Sequence, residues 1–276
     1  MSAIGFIGDG WGAVAALKSL QKRWLSIEVV TGDPTVSCLL RPSDLSRKNL
    51  AEILSETVVC SGFKRILKPE QLKQKQYLNV HYSLLPKYRG MHSTVWAVLN
   101  GEEYSGCTVH LMNEYVDDGP ILAQQSFGIG VKSSTEIMEA CNYWVENNLS
   151  KVVMSFISGE LKPTQQNKLQ ATWVPKRNLD DCVIDFCSTH EYLERFFRAL
   201  VPPYPRPMII YCGSRYEVSR VRLIDRPYHC TNGRIVNIDQ EGVWVKSSDG
   251  LVLIQELMLA GVVKNYWFMK IGARLG

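Results

Sequence analysis

The proline-rich segment VPPYPRP, residues 201–207, separates two parts of the sequence that have different hydrophobic patterns. Its four prolines exclude a helix, because proline fixes φ and removes a backbone donor. Before the segment, short apolar runs alternate with helix-like stretches, which is typical of βαβ units and a parallel sheet. After it, runs such as YEVSRVRLI and LVLIQEL are separated by turn signals such as TNG and SSDG. This second pattern predicts a small all-β barrel or sandwich.

The first part contains the predicted strands Ile4–Ile7, Ile27–Val30, Thr57–Val59, Leu78–Val80 and Cys107–Met112. Helices are predicted at Ala13–Lys22, Thr94–Asn100 and Ser133–Gly159, the last with an apolar stripe at Ile137, Cys141, Val145, Val152 and Phe156. Residues 160–180 are polar and without periodicity, which favours a linker, and another helix is predicted to start at Ser188. We therefore expect an α/β domain with its linker at 1–180, and a helix with a β-rich domain at 181–276.

Composition favours an ordinary globular protein with a sizeable core, since 46% of the 276 residues are apolar and 21% are charged. The sequence has no apolar run long enough to cross a bilayer and no secretory signal pattern, so we expect no membrane association and a cytoplasmic location. The eight cysteines contain no CxxC pair, and the paired spacings of a zinc site are lacking. Free thiols in a reducing compartment and no metal site are therefore predicted.

The net charge of +4 comes from the second part of the sequence. Residues 206–276 contain ten Lys/Arg and six Asp/Glu, whereas residues 1–205 are balanced. A mild excess of this kind is typical of a solvated surface. It would also suit contact with the phosphates of a nucleotide or of RNA.

The first turn, in GFIGDGWGAVAALKSL (residues 5–20), partly matches a dinucleotide-binding turn. Its glycines give GxGxG followed by Ala13, and Asp33 is a candidate for the acidic residue after the second strand. However, Asp9 in the turn would repel a phosphate, and Trp11 is bulky for a loop around pyrophosphate. We therefore interpret this turn as one with a supporting role, and not as a dinucleotide site.

Polar residues that suit catalysis follow the strand that contains Asn79. Asn79 and His81 are two positions apart, so in a strand their side chains point to the same side. They also lie near the carboxyl end of a predicted parallel strand, where open α/β sheets bind ligands. An amide donor beside an imidazole suits stabilisation of an oxyanion together with proton transfer, and Asp117 is placed to orient the imidazole. Spacing alone leaves turn-forming or structural roles open for all three.

Longer motifs around these residues resemble the 10-formyltetrahydrofolate-dependent formyltransferases. The motif N-x-H-x-S-L-L-P-K-Y-x-G starts at Asn79, and D-x-G-P starts at Asp117. The stretch G-F-x-R-I-L-x-P at 62–69 agrees with the family's folate site, so that the match covers roughly residues 57–125. In the second part, IDF, RALVPPYP and GRIVNIDQEGVWVKSSDGLVLIQEL look like the second domain of the methionyl-tRNA and aminoarabinose-type enzymes. The resemblance implies a Rossmann-like formyltransferase domain with a mostly parallel sheet, plus a small C-terminal OB-like open barrel.

The resemblance also implies site residues. Asn79, His81 and Asp117 match the family's catalytic residues, which act on the formyl carbon of the co-substrate N10-formyltetrahydrofolate. Two loops match the folate site, mostly through backbone contacts. Their residues are Arg65, Ile66 and Leu67 in the first loop and Met112, Glu114, Tyr115 and Val116 in the second.

The amine that accepts the formyl group is not fixed by these motifs. The run YRGMHSTVWAVLNGE is more similar to formyltransferases that act on nucleotide-linked amino sugars or on precursors of bacterial surface sugars. A methionyl-tRNA formyltransferase is the alternative, but it would usually read R-G-A-A-P and carry a basic insertion after the first turn. Glycinamide ribonucleotide and hydroxyornithine-type acceptors remain open, as does a binding protein that kept the fold without catalysis.

Within the amino-sugar interpretation, several residues are candidate acceptor contacts: Trp11, Lys87, His92, Trp96, Arg198 and Tyr204. Trp96 has the helical spacing of a core residue, and Arg198 suits a solvated helix face equally well. We expect a small-molecule partner and, unless the tRNA alternative holds, no nucleic acid. The apolar runs Leu257–Val263 and Tyr266–Met269 would suit a homodimer contact.

Overall fold

The computed structural model describes residues 3–276, which form two compact units. The first unit contains the described residues up to Ala97, then Glu103–Gly130 and Glu136–Lys176. The second contains Val98–Glu102, Val131–Thr135 and Arg177–Gly276. Both candidate catalytic motifs lie in the first unit.

The strands and helices of the first unit follow the βαβ pattern. Its strands are β1 (Ile4–Gly8), β2 (Ile27–Val30), β3 (Leu45–Ser46), β4 (Thr57–Ser61), β5 (Gln76–His81), β6 (Arg89–Gly90), β7 (Tyr104–Leu111), β8 (Ile121–Gly128) and β9 (Trp173–Val174). Its helices are α1 (Trp11–Gln21), α2 (Pro34–Ser37), α3 (Pro69–Gln74), most of α4 (Ser93–Leu99) and most of α5 (Ser134–Ile157).

Seven of these strands form one sheet in the order β3-β2-β1-β4-β5-β7-β8. The strands from β3 to β5 pair in parallel, because helices or loops cross over between them, whereas β7 is antiparallel to both β5 and β8. The predicted mostly parallel sheet is therefore confirmed. The edge strand β8 was not predicted. It begins directly after the D-x-G-P turn, so no separate boundary marks its start in the sequence.

The core of this unit packs around the central strands. Ile4, Phe6 and Leu78 are fully buried, as expected for parallel strands that are covered on both faces. Helix α5 buries a regular stripe with a spacing of four residues, which consists of Ile137, Cys141, Val145, Leu149 and Val153. The predicted stripe was wrong in its second half, where it placed Val152 and Phe156; both are only partly buried. The buried positions continue at every fourth residue to Val153, whereas the prediction moved from Val145 to Val152.

The second unit contains a short helix and an antiparallel sheet. Its elements are α6 (His190–Ala199), β10 (Met208–Tyr211), β11 (Ser214–Ile224), β12 (Ile235–Asp239), β13 (Gly242–Lys246), β14 (Leu251–Leu259) and β15 (Val262–Lys264). The strand order is β10-β11-β14-β13-β12, and β15 also pairs with β14. All of these pairs are antiparallel, so the predicted β-rich second domain is confirmed as an open half-barrel.

Helix α6 is fixed to this sheet through its first residue. The hydroxyl of Thr189 caps the helix, so the cap lies one residue later than the predicted Ser188. His190 Nδ1 lies 2.9 Å from Asp225 Oδ1, and its Nε2 lies 2.8 Å from Ser247 Oγ. Ser247 is fully buried, so we interpret its contact with His190 as structural and do not assign Ser247 as a nucleophile.

None of the helices between residues 3 and 276 is long and apolar enough to cross a membrane. In the same range, no cluster of His, Cys, Asp and Glu side chains has the arrangement of a metal site. All eight cysteines are free thiols.

Candidate active site

The turn between β1 and α1 is closed by carboxylates of this chain. The backbone N–H of Gly10 donates to Asp33 Oδ2 over 2.7 Å. Asp9 Oδ1 accepts from the hydroxyl of Thr31 and from the N–H of Gly32, each at 2.9 Å. Asp33 thus takes the place at the N-terminus of α1 where a ligand phosphate would otherwise bind. This arrangement agrees with the interpretation that the turn is not a dinucleotide site.

Asn79, His81 and Asp117 lie together at the carboxyl end of β5. Asn79 and His81 are on the same strand, two positions apart, and Asp117 follows β7 in the turn before β8. Asn79 Nδ2 donates to Asp117 Oδ1 over 3.2 Å, and His81 Nδ1 lies 3.5 Å from Asp117 Oδ2. The structure therefore brings together three side chains that are 38 positions apart at most in sequence.

The imidazole of His81 is buried and faces an oxygen atom at each nitrogen. Nε2 lies 2.8 Å from the carbonyl oxygen of Tyr88, so a hydrogen on Nε2 would point at that oxygen. Nδ1 faces the carboxylate of Asp117. Each ring nitrogen therefore faces an acceptor, so a hydrogen on either nitrogen would point at an oxygen atom.

Asp117 is nearly buried and is held as an anion. Burial on its own raises the pKa of this carboxyl group. The neighbouring His81 and the N–H donated by Gly90 lower it, and on balance the pKa of Asp117 lies well below its usual range. Asp117 Oδ2 also accepts the backbone N–H of Gly90 over 2.9 Å. At Gly90 φ is 107°, and a Cβ atom would collide with the carbonyl group of Val174, so only glycine fits there.

His110 is a fourth side chain of the site, and we did not predict it. It lies on β7 directly opposite Asn79, and its side chain is almost fully buried. Its Nδ1 is 2.8 Å from the carbonyl oxygen of Leu111 and its Nε2 is 3.2 Å from Asn79 Nδ2. The first contact places the hydrogen on Nδ1, so Nε2 accepts from the Asn79 amide. The only sequence signal was a histidine at the end of the strand that leads to Asp117.

The amide hydrogens of Asn79 therefore face two acceptors, Asp117 and His110. Both contacts are 3.2 Å long, at the weak end of the range for N–H donors. An oxyanion is a stronger acceptor than an imidazole nitrogen, so one of the two hydrogens can turn toward it. The arrangement thus combines an amide donor, an adjacent imidazole ring and a buried carboxylate.

The predicted linker at 160–180 is wrong for the part up to Lys176. Strand β9 pairs in parallel with β6, with Trp173 opposite Arg89 and Val174 opposite Gly90. The backbone of Thr164 also pairs with that of Ile121, at the start of β8. Backbone and polar contacts hold this segment in place. It therefore needs no apolar face, and its sequence shows no hydrophobic periodicity. It is part of the first unit, as the loops around His81 and Asp117 are.

The two loops that the resemblance assigns to folate contacts differ in exposure. Ile66, Tyr115 and Val116 are at least half exposed, and Arg65 and Glu114 are exposed as well. Leu67 is different, because its side chain packs in the buried cluster with Ile7, Val58 and Tyr77. Met112 packs against the same cluster, and its N–H donates to the carbonyl of Tyr77 over 2.8 Å. Leu67 can thus offer a ligand its backbone and Met112 its carbonyl oxygen, whereas the exposed side chains leave apolar surface for a flat ring.

The structure places four of the candidate acceptor contacts in the unit that holds the candidate catalytic residues. Trp11 is 47% exposed at the first position of α1. Lys87 is exposed and His92 half-buried, on either side of the turn that contains Tyr88 and Gly90. The indole N–H of Trp96 donates to the carbonyl of Pro175, which gives this residue a structural role. 

Two further candidates, Arg198 and Tyr204, belong to the second unit. Arg198 donates to the carbonyl oxygen of Lys132 over 2.8 Å, and its Nε lies 3.7 Å from Glu194. The backbone N–H of Tyr204 donates to the carbonyl of Val201. Contact of these two side chains with an acceptor stays a prediction.

Comparison with known families matches most of the chain. Residues 27–152 match the family described as formyl transferase, and residues 177–264 match the formyl transferase C-terminal domain. Among relatives, a methionyl-tRNA formyltransferase of Clostridium acetobutylicum is 29% identical over 217 residues, which are 77% of this chain and 69% of the relative. 

Solved structures with a similar fold include an N-formyltransferase from Helicobacter canadensis in complex with folinic acid and dTDP-3-aminofucose. It has a TM-score of 0.68 at 19% identity and is matched over 92% of this chain and 99% of its own. HypX from Aquifex aeolicus in complex with tetrahydrofolic acid also has a TM-score of 0.68 at 19% identity. That match covers 93% of this chain, but the chain spans only 44% of HypX. At these identities the likeness shows a shared fold.

Proposed function

The chain belongs to the formyl transferase family and is a formyl-transferring enzyme, and we propose that it transfers a formyl group from N10-formyltetrahydrofolate to the amine of a nucleotide-linked amino sugar. The observation that carries the proposal is the arrangement of Asn79, His81 and Asp117 at the end of β5. An amide donor and an imidazole beside a buried carboxylate suit a reaction that passes through an oxyanion.

In the proposed reaction, the amine nitrogen of the acceptor attacks the formyl carbon. A bond forms between them, and the formyl oxygen becomes an oxyanion. The bond from that carbon to N10 then breaks, and the proton lost by the amine goes to N10, which gives the formamide and tetrahydrofolate. Asn79 would donate a hydrogen to the oxyanion, since its contacts with Asp117 and His110 are long and easily exchanged.

His81 and Asp117 have complementary roles in this proposal. The imidazole is engaged by the Tyr88 carbonyl at Nε2 and faces Asp117 at Nδ1, so in this geometry it lies beside the oxyanion without a free nitrogen. The anion of Asp117 orients the ring and would stabilise positive charge that the ring takes up during the reaction. Proton transfer from the amine to N10 would then use His81 after it leaves Tyr88, or a water molecule next to it.

Two groups of observations support a sugar nucleotide as acceptor. First, Asp33 closes the N-terminus of α1, which disfavours an acceptor that needs a phosphate at this turn, as we expect of glycinamide ribonucleotide. Second, the matched sugar N-formyltransferases have almost the length of this chain, since the match covers 97% of WlaRD and 99% of the Helicobacter canadensis enzyme. Trp11, exposed beside the same turn, offers an aromatic surface for a sugar or base.

Methionyl-tRNA is the second candidate acceptor, because the matched relatives include many methionyl-tRNA formyltransferases. The loop after β2 argues against it. Both of its arginines are bound internally: Arg41 donates to Asp44 and to the carbonyls of Gln21 and Trp24, and Arg47 pairs with Glu28 at 2.7 Å. They are therefore poorly placed to bind RNA phosphates.

A direct comparison of acceptors tests the proposal. The enzyme is mixed with N10-formyltetrahydrofolate and either dTDP-3-aminofucose or charged initiator methionyl-tRNA, and the release of tetrahydrofolate is measured. Turnover with the sugar nucleotide supports the proposed acceptor class. Turnover with methionyl-tRNA alone rejects that class and keeps formyl transfer. The cytoplasmic location and a homodimer remain part of the proposal.

A further inference from the structure

The segment from Thr164 to Val174 connects the two loops that carry the site. The backbone N–H of Arg89 donates to the carbonyl of Thr172 over 2.9 Å, and the N–H of Tyr88 donates to the hydroxyl of Thr172 over 2.8 Å. At its other end, Thr164 exchanges two backbone hydrogen bonds with Ile121, at 2.7 and 2.8 Å. One stretch of chain thus holds both the loop after His81 and the turn of Asp117.

Between these two contacts, the side chain of Gln166 reaches into the site. Its Nε2 donates to the backbone carbonyl of Asp117 over 2.8 Å and to that of Gly119 over 2.7 Å. Its Oε1 accepts from Arg89 Nη2 over 2.7 Å. Gln166 is buried, so both of its donor hydrogens and its acceptor oxygen are used inside the protein.

The partner of Gln166 on the other loop, Arg89, is itself fixed on two sides. Arg89 Nη1 forms a buried ion pair with Asp118 Oδ1 at 2.7 Å. The guanidinium group also lies 5.5 Å from the ring centroid of Trp173. Gln166 therefore joins a rigid arginine after His81 to the peptide groups of Asp117 and Gly119.

The turn at Asp117 depends on such support. Asp117 has a φ of 52°, in the left-handed region that a residue with a side chain seldom adopts. At Gly119 a Cβ atom would collide with the carbonyl of Leu111, so the turn also lies tightly against β7. The carbonyls on both sides of this constrained stretch are the ones that Gln166 binds.

We propose that Gln166 is a positioning residue for formyl transfer: its amide group fixes the turn so that the carboxylate of Asp117 faces Asn79 and His81. The contacts of that carboxylate with Asn79 and His81 are 3.2 and 3.5 Å long, so a small shift of the turn breaks them. Misplacement of a catalytic group by about 1 Å can cost about 100-fold in rate. The inference rests on the proposed function, because it assigns Gln166 a role in that reaction.

Two substitutions of Gln166 test this role. Gln166→Met keeps the length of the side chain and removes all three hydrogen bonds. Gln166→Glu keeps an acceptor for Arg89 but replaces the two donated hydrogens with a carboxylate oxygen. Gln165→Met is the matched control, since Gln165 is its exposed neighbour of the same type. Measurements are kcat and KM with dTDP-3-aminofucose, or with methionyl-tRNA if that is the acceptor used, the Kd for 5-formyltetrahydrofolate, and Tm.

We expect kcat to fall about 10- to 100-fold in both Gln166 variants, with little change in the Kd for 5-formyltetrahydrofolate. The pH profile of kcat should also shift, because the geometry of the Asp117–His81 pair changes, while Gln165→Met keeps the wild-type profile. A folded Gln166→Glu with wild-type kcat would overturn the role of the donated hydrogen bonds.

Other results also decide the question. If kcat, ligand Kd and Tm deteriorate together, or if both variants fail to fold, Gln166 is a general stability residue and the positioning role is rejected. If wild-type enzyme and the Gln165 control release tetrahydrofolate but the Gln166 variants do so equally well, only this inference fails. If the wild-type enzyme releases none with either acceptor, the proposed function itself fails.

Discussion

Asp117 Oδ2 accepts the backbone N–H of Gly90 over 2.9 Å, so the carboxylate that faces His81 also anchors the loop that follows it. One charged group thus serves two purposes. It orients the imidazole, and it keeps the chain between Tyr88 and Gly90 against the end of β5. We therefore expect loss of this charge to lower the rate of the reaction more than it lowers the stability of the fold.

Asp117→Asn tests that charge. The amide can still accept the Gly90 N–H, but it no longer faces His81 with a negative charge, so we expect kcat to fall about 100-fold or more. Because the pKa of Asp117 lies well below its usual range, the carboxylate stays ionised at ordinary pH, so a deficit should be present at every pH across about pH 6–8.5. Glu103→Gln, at an exposed position, is the control. A deficit that disappears within that pH range would contradict the role of a permanent anion.

Asp33 should exclude phosphate from the first turn. In Asp33→Asn the side chain can still cap α2 through its oxygen, while the N–H of Gly10 loses its anionic acceptor. We expect inorganic phosphate to inhibit this variant about 5- to 30-fold more strongly than wild type, because the carboxylate that repels an anion at the N-terminus of α1 is gone. Inhibition constants for phosphate measured at constant ionic strength check this. Equal constants for the two proteins would mean that Asp33 does not block the turn.

Trp11 should contribute to acceptor binding and not to chemistry. Trp11→Ala is expected to raise KM for dTDP-3-aminofucose about 5- to 100-fold with kcat little changed, because stacking on an aromatic ring contributes about 1–3 kcal/mol. Trp267→Ala is a matched control at an equally exposed tryptophan of the second unit. If KM is the same in both variants, the acceptor does not touch Trp11.

Much of this fold was predictable because its signals are local. The strand–helix alternation and the short strands after Pro207 follow from hydrophobic periodicity, and Asn79 and His81 share a side because strand side chains alternate. The two residues that were not predicted, His110 and Gln166, contact residues that are distant in the sequence. His110 is next to Asn79 only through the antiparallel pairing of β5 and β7. Gln166 lies in a segment without periodicity, and its three partners are at least 47 positions away.

Residues 160–180 were interpreted as a linker for the same reason, because their contacts are with residues that are distant in the sequence. Backbone pairing between β6 and β9 involves only two residues of each strand, which is too short for an alternating pattern. The polar side chains in this stretch looked solvated because their partners, Asp117, Gly119 and Arg89, belong to other loops. Periodicity detects apolar faces, and this segment has none to detect.

Glu28 should make the free energy of unfolding depend on pH in the acid range. Burial on its own raises the pKa of this carboxyl group, but hydrogen bonds from Ser55 and Arg47 outweigh it and lower the pKa from 4.5 to about 2. The folded pKa is below the unfolded one, so the stabilisation is complete above pH 4.5 and is lost as pH falls toward about 2. Glu28→Gln should therefore lower the free energy of unfolding by roughly 1–3 kcal/mol at neutral pH.

Urea unfolding at several pH values checks this, with the exposed Glu56→Gln as control. The difference between wild type and Glu28→Gln should narrow between pH 4.5 and about 2. A difference that stays constant over that interval would show that the ionised form of Glu28 is not the source of the stabilisation.

Turnover by Asn79→Ala tests the proposed oxyanion donor directly. Wild type, Asn79→Ala and the exposed control Asn147→Ala are mixed with N10-formyltetrahydrofolate and dTDP-3-aminofucose, or with methionyl-tRNA if that is the acceptor used, and tetrahydrofolate release is measured. We predict that kcat falls about 100- to 1,000-fold in Asn79→Ala, as for other lost oxyanion donors, while Asn147→Ala matches wild type. Near-normal turnover in a folded Asn79→Ala enzyme would contradict this prediction.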